Sequence, residues 1–330
     1  MPLREIDDAI LVGLSRSAIE SRRGSREVLD TSKPFALVRE QEPAGKFSVA
    51  DVATVFLTGA ECPYRCSMCD LWRYTLDRAT VPGEITRQLS WVLDQLGSET
   101  ERPPEWIKLY NASNFFDSRA VPEDEHSTIA KQCETFQRVI VENHPKLVRP
   151  AVKQFVSLLR GKLEIAIGLE TVHPGSMLLL NKGFDLDDFA RASEQLDALQ
   201  IDRRAFVMLQ PPGTEPSESM DWAMKTLAFA NAHGVRHCSI IPTRMGNGTM
   251  EWLQEQSLFI PPTFRQLEQA LELALNHFSE MVVTVDTWNL ELLAGTCHRC
   301  ILGRKERLEL MNMQQCCLPE VKRSCDCASD

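Results

Sequence analysis

Between about residues 50 and 290, short runs of β-branched and other apolar residues alternate with longer segments whose apolar side chains recur every three or four positions. The first pattern reads as buried strand and the second as amphipathic helix. Strands are predicted at Val52–Thr58, Trp106–Tyr110, Gln137–Val141, Leu163–Leu169, Arg204–Gln210, His237–Pro242 and Met281–Val285. Helices are predicted near 84–96, 123–135, 150–160, 185–199, 217–233 and 263–279. Strands separated by helices of this length imply right-handed βαβ units and a parallel sheet. The repeated unit predicts an α/β fold, a partial (β/α)6-type parallel barrel, with its chemistry at the C-terminal ends of the strands.

The two ends of the chain are patterned differently. Ile6, Ile10, Leu14 and Ala18 are spaced for one face of a short helix ending before Gly24, so residues 1–49 are expected to form a helical N-terminal extension. Residues 50–290 are the expected barrel domain, and residues 291–330 a separate Cys-rich segment too short to build a large core unaided. No internal repeat or low-complexity stretch is present.

Composition narrows the class. The chain is 43% hydrophobic and 25% charged, ordinary for a soluble globular protein. Its net charge of −10 repels phosphate backbones on average, which disfavours strong nucleic-acid binding. The basic runs RSAIESRRGSR and GRKER read as solvated faces or as local contacts for an RNA backbone. No apolar run is long enough to span a membrane, and the N-terminus lacks the features of a secretory signal, so a cytoplasmic location is expected. In that reducing compartment eleven cysteines point to metal ligation or redox chemistry before disulfides.

Three of those cysteines follow the first predicted strand in TVFLTGAECPYRCSMCDLW, where Cys62, Cys66 and Cys69 have the spacing C-x-x-x-C-x-x-C. Three thiolates in eight residues can each bind one iron of a [4Fe–4S] cluster and leave the fourth iron open. An open iron can take the amino and carboxylate groups of S-adenosylmethionine (SAM), and an electron from the cluster can then break the sulfonium carbon–sulfur bond to give a 5′-deoxyadenosyl radical. Met68 precedes the last cysteine, where its side chain or backbone can line the adenine pocket. A zinc site completed by a fourth ligand, or three buried thiols, are the alternative readings.

The cysteine loop and its placement resemble the radical SAM superfamily over roughly residues 50–290. The segments EIAIGLETVHPGSMLLLNKGF and FVMLQPPGTEPSE are similar to the subgroup containing the elongator catalytic subunit and the archaeosine synthase radical SAM subunit. The resemblance implies SAM contacts at Glu170 after the fourth predicted strand, at Glu142 and Asn143 after the third, and at Gln210 after the fifth. In LYNASNFFD, Asn111 and Ser113 stand where the superfamily usually has glycines and an acid that hold the SAM amino group. Thr243, in IIPTRMGNG after the sixth strand, is placed to approach the adenosine. Hydrogen abstraction from a substrate follows by resemblance, with an electron donor such as a flavodoxin or ferredoxin; small-molecule, lipid and tRNA substrates all stay open.

The tail carries Cys297-x-x-Cys300, Cys316-Cys317 and Cys325-x-Cys327, pairs of the kind that gather around a metal. An auxiliary [4Fe–4S] cluster, a zinc site and a flexible thiol-rich tail are the readings in view. Cys133 and Cys238 read as core residues, His298 as solvated, and Phe115-Phe116 as core or pocket wall. Trp72, Arg73 and Tyr74 either cap the substrate pocket or pack and solvate the cluster loop. Two other classes complete the set, a zinc-stabilised RNA-binding module and an iron–sulfur electron-transfer protein without SAM chemistry.

Overall fold

The computed structural model describes residues 6–99 and 102–321. Two short helices, α1 (Asp8–Gly13) and α2 (Arg16–Ser21), lead to β1 (Ala36–Gly45) and β2 (Ser48–Phe56). Strands and helices then alternate through α3 (Glu84–Glu99), β3 (Trp106–Tyr110), α4 (His126–Gln132), β4 (Arg138–Glu142), α5 (Pro150–Leu158) and β5 (Lys162–Glu170). They continue through α6 (Pro174–Leu180), α7 (Leu186–Ala198), β6 (Asp202–Leu209), α8 (Ser219–Ala232), β7 (His237–Pro242), α9 (Thr249–Glu255), α10 (Phe264–His277), β8 (Val282–Val285) and α11 (Ile301–Gln314).

The eight strands form one sheet in chain order, with β2 to β8 parallel and β1 antiparallel to β2. The sheet curls until β1 approaches β8, which makes a nearly closed barrel. The seven parallel strands are those expected from the sequence, displaced at their ends by up to four residues. β2 stops at Phe56 because the Gln88 side chain takes over the backbone of Thr58, accepting from its N–H at 2.8 Å and donating to its carbonyl at 2.9 Å.

Two local expectations change. The single N-terminal helix is broken at Leu14, which closes α1, and Ser15, whose extended backbone starts α2. β1 lies in the stretch expected to be helical extension. Its sequence ALVREQEPAG carries charges because one face lines the barrel interior: Lys108 on β3 and Arg204 on β6 both reach Glu42 on β1. Glu40 pairs with Lys108 at 2.8 Å, and Glu164 holds Arg204 at 2.5 Å and Arg138 at 2.6 Å. The barrel floor is thus a buried network of paired charges. The opposite faces of the strands, with Val55, Leu109, Val141, Ile167 and Val207, join Phe155, Phe189 and Phe264 of the helices in the main apolar core.

The last strand has no ninth partner among the described residues, and an unpaired sheet edge needs cover. Helix α11 supplies it with side-chain amides. Asn312 accepts from the Val285 N–H at 2.8 Å and donates to the Val285 carbonyl at 2.8 Å. Gln315 does the same for Val283, at 2.9 Å in both directions. The Cys-rich segment is therefore, in its described part, the hem of the barrel. No helix among the described residues is long and apolar enough to cross a membrane.

Candidate active site

The cysteine loop leaves β2 at the C-terminal mouth of the barrel, and contacts from three directions fix it. From within, Arg65 donates to the Cys62 carbonyl at 2.6 Å and the Cys69 N–H bonds to the Cys66 carbonyl at 3.2 Å. From the end of α6, Leu180 accepts the Ser67 N–H at 3.0 Å, and Asn181 donates to the Arg65 carbonyl at 3.1 Å. From the N-terminal extension, Arg23 and Arg26 converge with Arg65 on Glu61. Tyr64 stacks on His144 with ring centroids 3.7 Å apart, and burial lowers the pKa of that imidazole to about 4, which keeps it neutral at physiological pH.

Cys62, Cys66 and Cys69 are each partly buried. Burial pushes the Cys62 thiol up to about 11, with the Cys66 charge adding to it; burial also raises Cys66 and Cys69. Metal binding would require all three as thiolates. Asn114, which sequence reasoning missed, donates to Cys62 Sγ at 3.2 Å. Among the described residues no three His, Cys, Asp or Glu side chains surround a single metal-ion position. An iron–sulfur cube takes each thiolate at a different corner, so its ligands stand farther apart than those of one ion.

Beside the thiols lies a buried ion pair, Lys182 Nζ to Glu170 Oε1 at 2.6 Å. Gly168 leaves room for it, since a Cβ at that position would collide with both charged atoms. Burial acts to deprotonate Lys182, and Glu170 and Cys66 together outweigh it, so the lysine stays charged. Lys182 in turn favours the thiolate forms of Cys62 and Cys66. Glu170 is therefore engaged by the protein's own lysine. Its backbone is left-handed at φ 64°, as is Gln210 at φ 60°, unusual for non-glycine residues and found here at two adjacent strand ends.

The remaining expected contacts divide by whether their polar atoms are already used. Asn111 is fully buried with neither its side-chain oxygen nor its nitrogen bonded; Ser113 Oγ, Gln210 Oε1 and Thr58 Oγ1 are also buried without partners. Each such group costs on the order of 1–3 kcal/mol unless something bonds it. Asn143 and Thr243 are spent on the backbone: Asn143 accepts from Phe116 N and donates to the His144 carbonyl, and Thr243 donates to the Leu209 carbonyl. Met68 packs its side chain on the small core of Leu14, Leu179, Met250, Leu253 and Phe259. Glu142 accepts from the N–H groups of Asn111 and Ala112, and burial raises its carboxyl to about 7.

Orphaned donors and acceptors at three strand ends, beside three thiols in one loop, fit a polar ligand held against a cluster. Asn111→Ala is expected to leave the metal-free protein within about 1 kcal/mol of wild type, because an unsatisfied amide is removed, and, should the SAM contact implied by the resemblance be made there, to weaken SAM binding about 10- to 100-fold. Urea denaturation and a SAM titration of the reconstituted protein check the two halves separately.

Of the aromatic residues, Trp72 is buried with Arg23 and Arg73 over its ring, Tyr74 packs on Phe35, and Phe115 and Phe116 lie in the core with Phe155. Cys133 and Cys238 are core residues as well. In the tail, Cys297 and Cys300 stand at the start of α11 and Cys316-Cys317 just beyond its end. Fourteen helical residues separate the pairs by about 20 Å, so one metal cannot take ligands from both. Arg304 interacts with Cys300 as well as with Glu268, and His298 is exposed. Cys325 and Cys327 lie outside the described residues.

No protein-family model matches the chain. It is 21% identical over 305 residues to an uncharacterised protein of Methanocaldococcus jannaschii, covering 88% of this chain and 84% of that one. It is 24% identical over 269 residues to archaeosine synthase subunit beta of Methanosarcina acetivorans, covering 74% and 75% of the two chains. Among solved structures, the Elp3 protein of Methanocaldococcus infernus with its N-terminus (1–46) deleted superposes with a TM-score of 0.49 at 14% identity, covering 66% of this chain and 57% of that one, so this chain spans just over half of that shortened Elp3. In its cysteine loop at the end of β2, its order of strands and its relationship to archaeosine synthase subunit beta, the chain resembles the radical SAM superfamily.

Proposed function

We propose that the protein is a radical SAM enzyme. The observation that carries this reading is the pairing of Cys62, Cys66 and Cys69 in one clamped loop with buried, unbonded polar atoms on Asn111 and Ser113 after β3 and on Gln210 after β6, at the same end of the parallel strands. The three thiolates hold a [4Fe–4S] cluster. Asn111, Ser113 and Gln210 bind the polar groups of SAM, with the Met68 backbone beside them. Asn143, Glu170 and Thr243 shape the strand ends through their own hydrogen bonds. The chemistry supplied on loading is reductive cleavage of the SAM sulfonium bond and hydrogen abstraction by the 5′-deoxyadenosyl group.

The protein's residues carry the rest. Lys182 offsets thiolate charge, and the paired floor of Glu42, Arg204 and Glu164 seals the barrel against water from below. A flavodoxin or ferredoxin in a cytoplasmic setting would supply the electron. The substrate is drawn from three classes, a small molecule, a lipid or a tRNA, and the relationship to archaeosine synthase subunit beta supports the last. Cys297 and Cys300 are candidate ligands of a second metal centre, an auxiliary cluster or zinc, and Cys316 and Cys317 stand too far from them to share one ion.

The test is anaerobic reconstitution of wild type and Cys66→Ala, with iron, sulfide and zinc counted and electron paramagnetic spectra recorded with and without SAM. About four irons in the loop are expected, with a spectrum that SAM perturbs; Cys66→Ala should lose both and keep its fold. Zinc without sulfide would return the zinc-stabilised RNA-binding module. A cluster indifferent to SAM would return the electron-transfer protein.

A further inference from the structure

The loop after β7 crosses the barrel mouth and grips the cysteine loop through one buried side chain. Asn247 donates to the Ser67 carbonyl at 2.7 Å and to the Cys69 carbonyl at 3.3 Å. Its oxygen accepts from Thr249 N at 3.0 Å and Met250 N at 2.8 Å, the first N–H groups of α9. All the bonding capacity of the amide is in use, two donors on one side and two lone pairs on the other. Asparagine is the short side chain that can do both at once.

The anchor itself is rigid. Glu251 accepts from the N–H groups of Gly246 and Gly248, and Arg73 donates to the Gly246 carbonyl. Gly248 sits at φ 84° with the Arg22 carbonyl where a Cβ would be, so the loop is wedged against the N-terminal extension. On the far side, Ser67 gives its N–H to Leu180 at the end of α6. The Ser67–Cys69 tripeptide is thus held between α6 and the β7–α9 loop.

We propose that Asn247 is a positioning residue for Cys69: it fixes the backbone on both sides of Met68 and so sets where the third thiol stands before any cluster arrives. This rests on the reading of the cysteine loop as a cluster site, and it adds a residue from the opposite side of the barrel. A cap for α9 needs only the acceptor half of the side chain. The donor half, aimed at two carbonyls of the cysteine loop, serves the loop.

Asn247→Asp separates the halves. At pH 8 an aspartate keeps the acceptor and the size but cannot donate, and it faces the two carbonyls with a negative charge. Asn247→Ser, a good helix cap that is too short to reach the loop, is the second variant. Metal-free wild type and both variants are alkylated with iodoacetamide, and each cysteine is followed by peptide mass spectrometry, with buried Cys238 as the control.

The expected result is Cys69 labelling at least about tenfold faster in both variants, with Cys238 and Tm nearly unchanged, and faster loss of iron to a chelator after reconstitution. Equal Cys69 labelling in the folded variants, labelling that rises in step with Cys238, or failure of both variants to fold would each overturn the proposal. Failure of wild type to take up iron would sink the cluster reading while leaving the labelling result to stand on its own.

Discussion

Arg204→Met is expected to destabilise the metal-free protein by about 3–5 kcal/mol at neutral pH, a fall in Tm of roughly 5–15 °C for a chain of this size. Arg204 is 3% exposed, bonds Glu164 at 2.5 Å, and reaches Glu42 from two nitrogens at 3.1 and 3.2 Å. Lys108 and Arg138 cannot replace it. Each already serves two carboxylates, Lys108 those of Glu40 and Glu42, Arg138 those of Glu164 and Asp202. Methionine fills the volume and leaves two buried carboxylates short of a cation.

The deficit should depend on pH. Burial acts to raise the Glu42 and Glu164 carboxyls, and Arg204 overrides it, so both sit below the ordinary range in the wild type. Their contribution is therefore present above the unfolded-state pKa and is lost as pH falls through the folded one. Without Arg204, only Lys108 beside Glu42 and Arg138 beside Glu164 stand against burial, so the folded values rise, and where they pass the unfolded ones protonation favours the fold. Urea denaturation at pH 8 and pH 5 should show the gap between variant and wild type narrowing at the lower pH. A gap of the same size at both would mean that the network is not held by Arg204.

Lys182→Met is the second large effect, and it strikes the site directly. The change leaves Glu170 buried and negative next to three thiols, at a cost of about 3–5 kcal/mol to the metal-free protein. Loss of a supporting charge beside metal ligands typically weakens metal binding about 10- to 100-fold, so iron should leave faster under chelator challenge. The double variant Lys182→Met with Glu170→Gln removes the stranded charge and should recover most of the folding loss. Iron retention should recover less, because the cation that favours Cys62 and Cys66 thiolates is still gone. Equal recovery of both quantities would show that Lys182 serves only Glu170.

The features legible in the sequence were those written locally. The seven parallel strands show as apolar runs because their outer faces meet helices, and Cys62, Cys66 and Cys69 show because their spacing is short. β1 was illegible for the opposite reason: Glu40 and Glu42 look solvated until Lys108 and Arg204 arrive from strands far along the chain. Helices α6 and α9 are only seven residues each, too short for a period to declare itself, and α11 was masked by the cysteines around it. Lys182, Asn114 and Asn247 meet the cysteine loop across separations of 52 to 180 residues or through an ion pair, and no local pattern marks them. The residues picked out by resemblance differ in how many of their polar atoms the protein itself already bonds. Asn111, Ser113 and Gln210 keep unused polar atoms, whereas Asn143 and Thr243 spend theirs on neighbouring backbone.

The side-chain amides that finish β8 have a consequence for self-association. A sheet hemmed by Asn312 and Gln315 keeps its closure on the side chains of α11 and its cap residue, with no ninth strand among the described residues. Clipping ahead of α11 would bare the β8 backbone with its seven partner strands still aligned behind it. Such an edge is a template for a second copy, so a chain cut there should self-associate more readily than the uncut one.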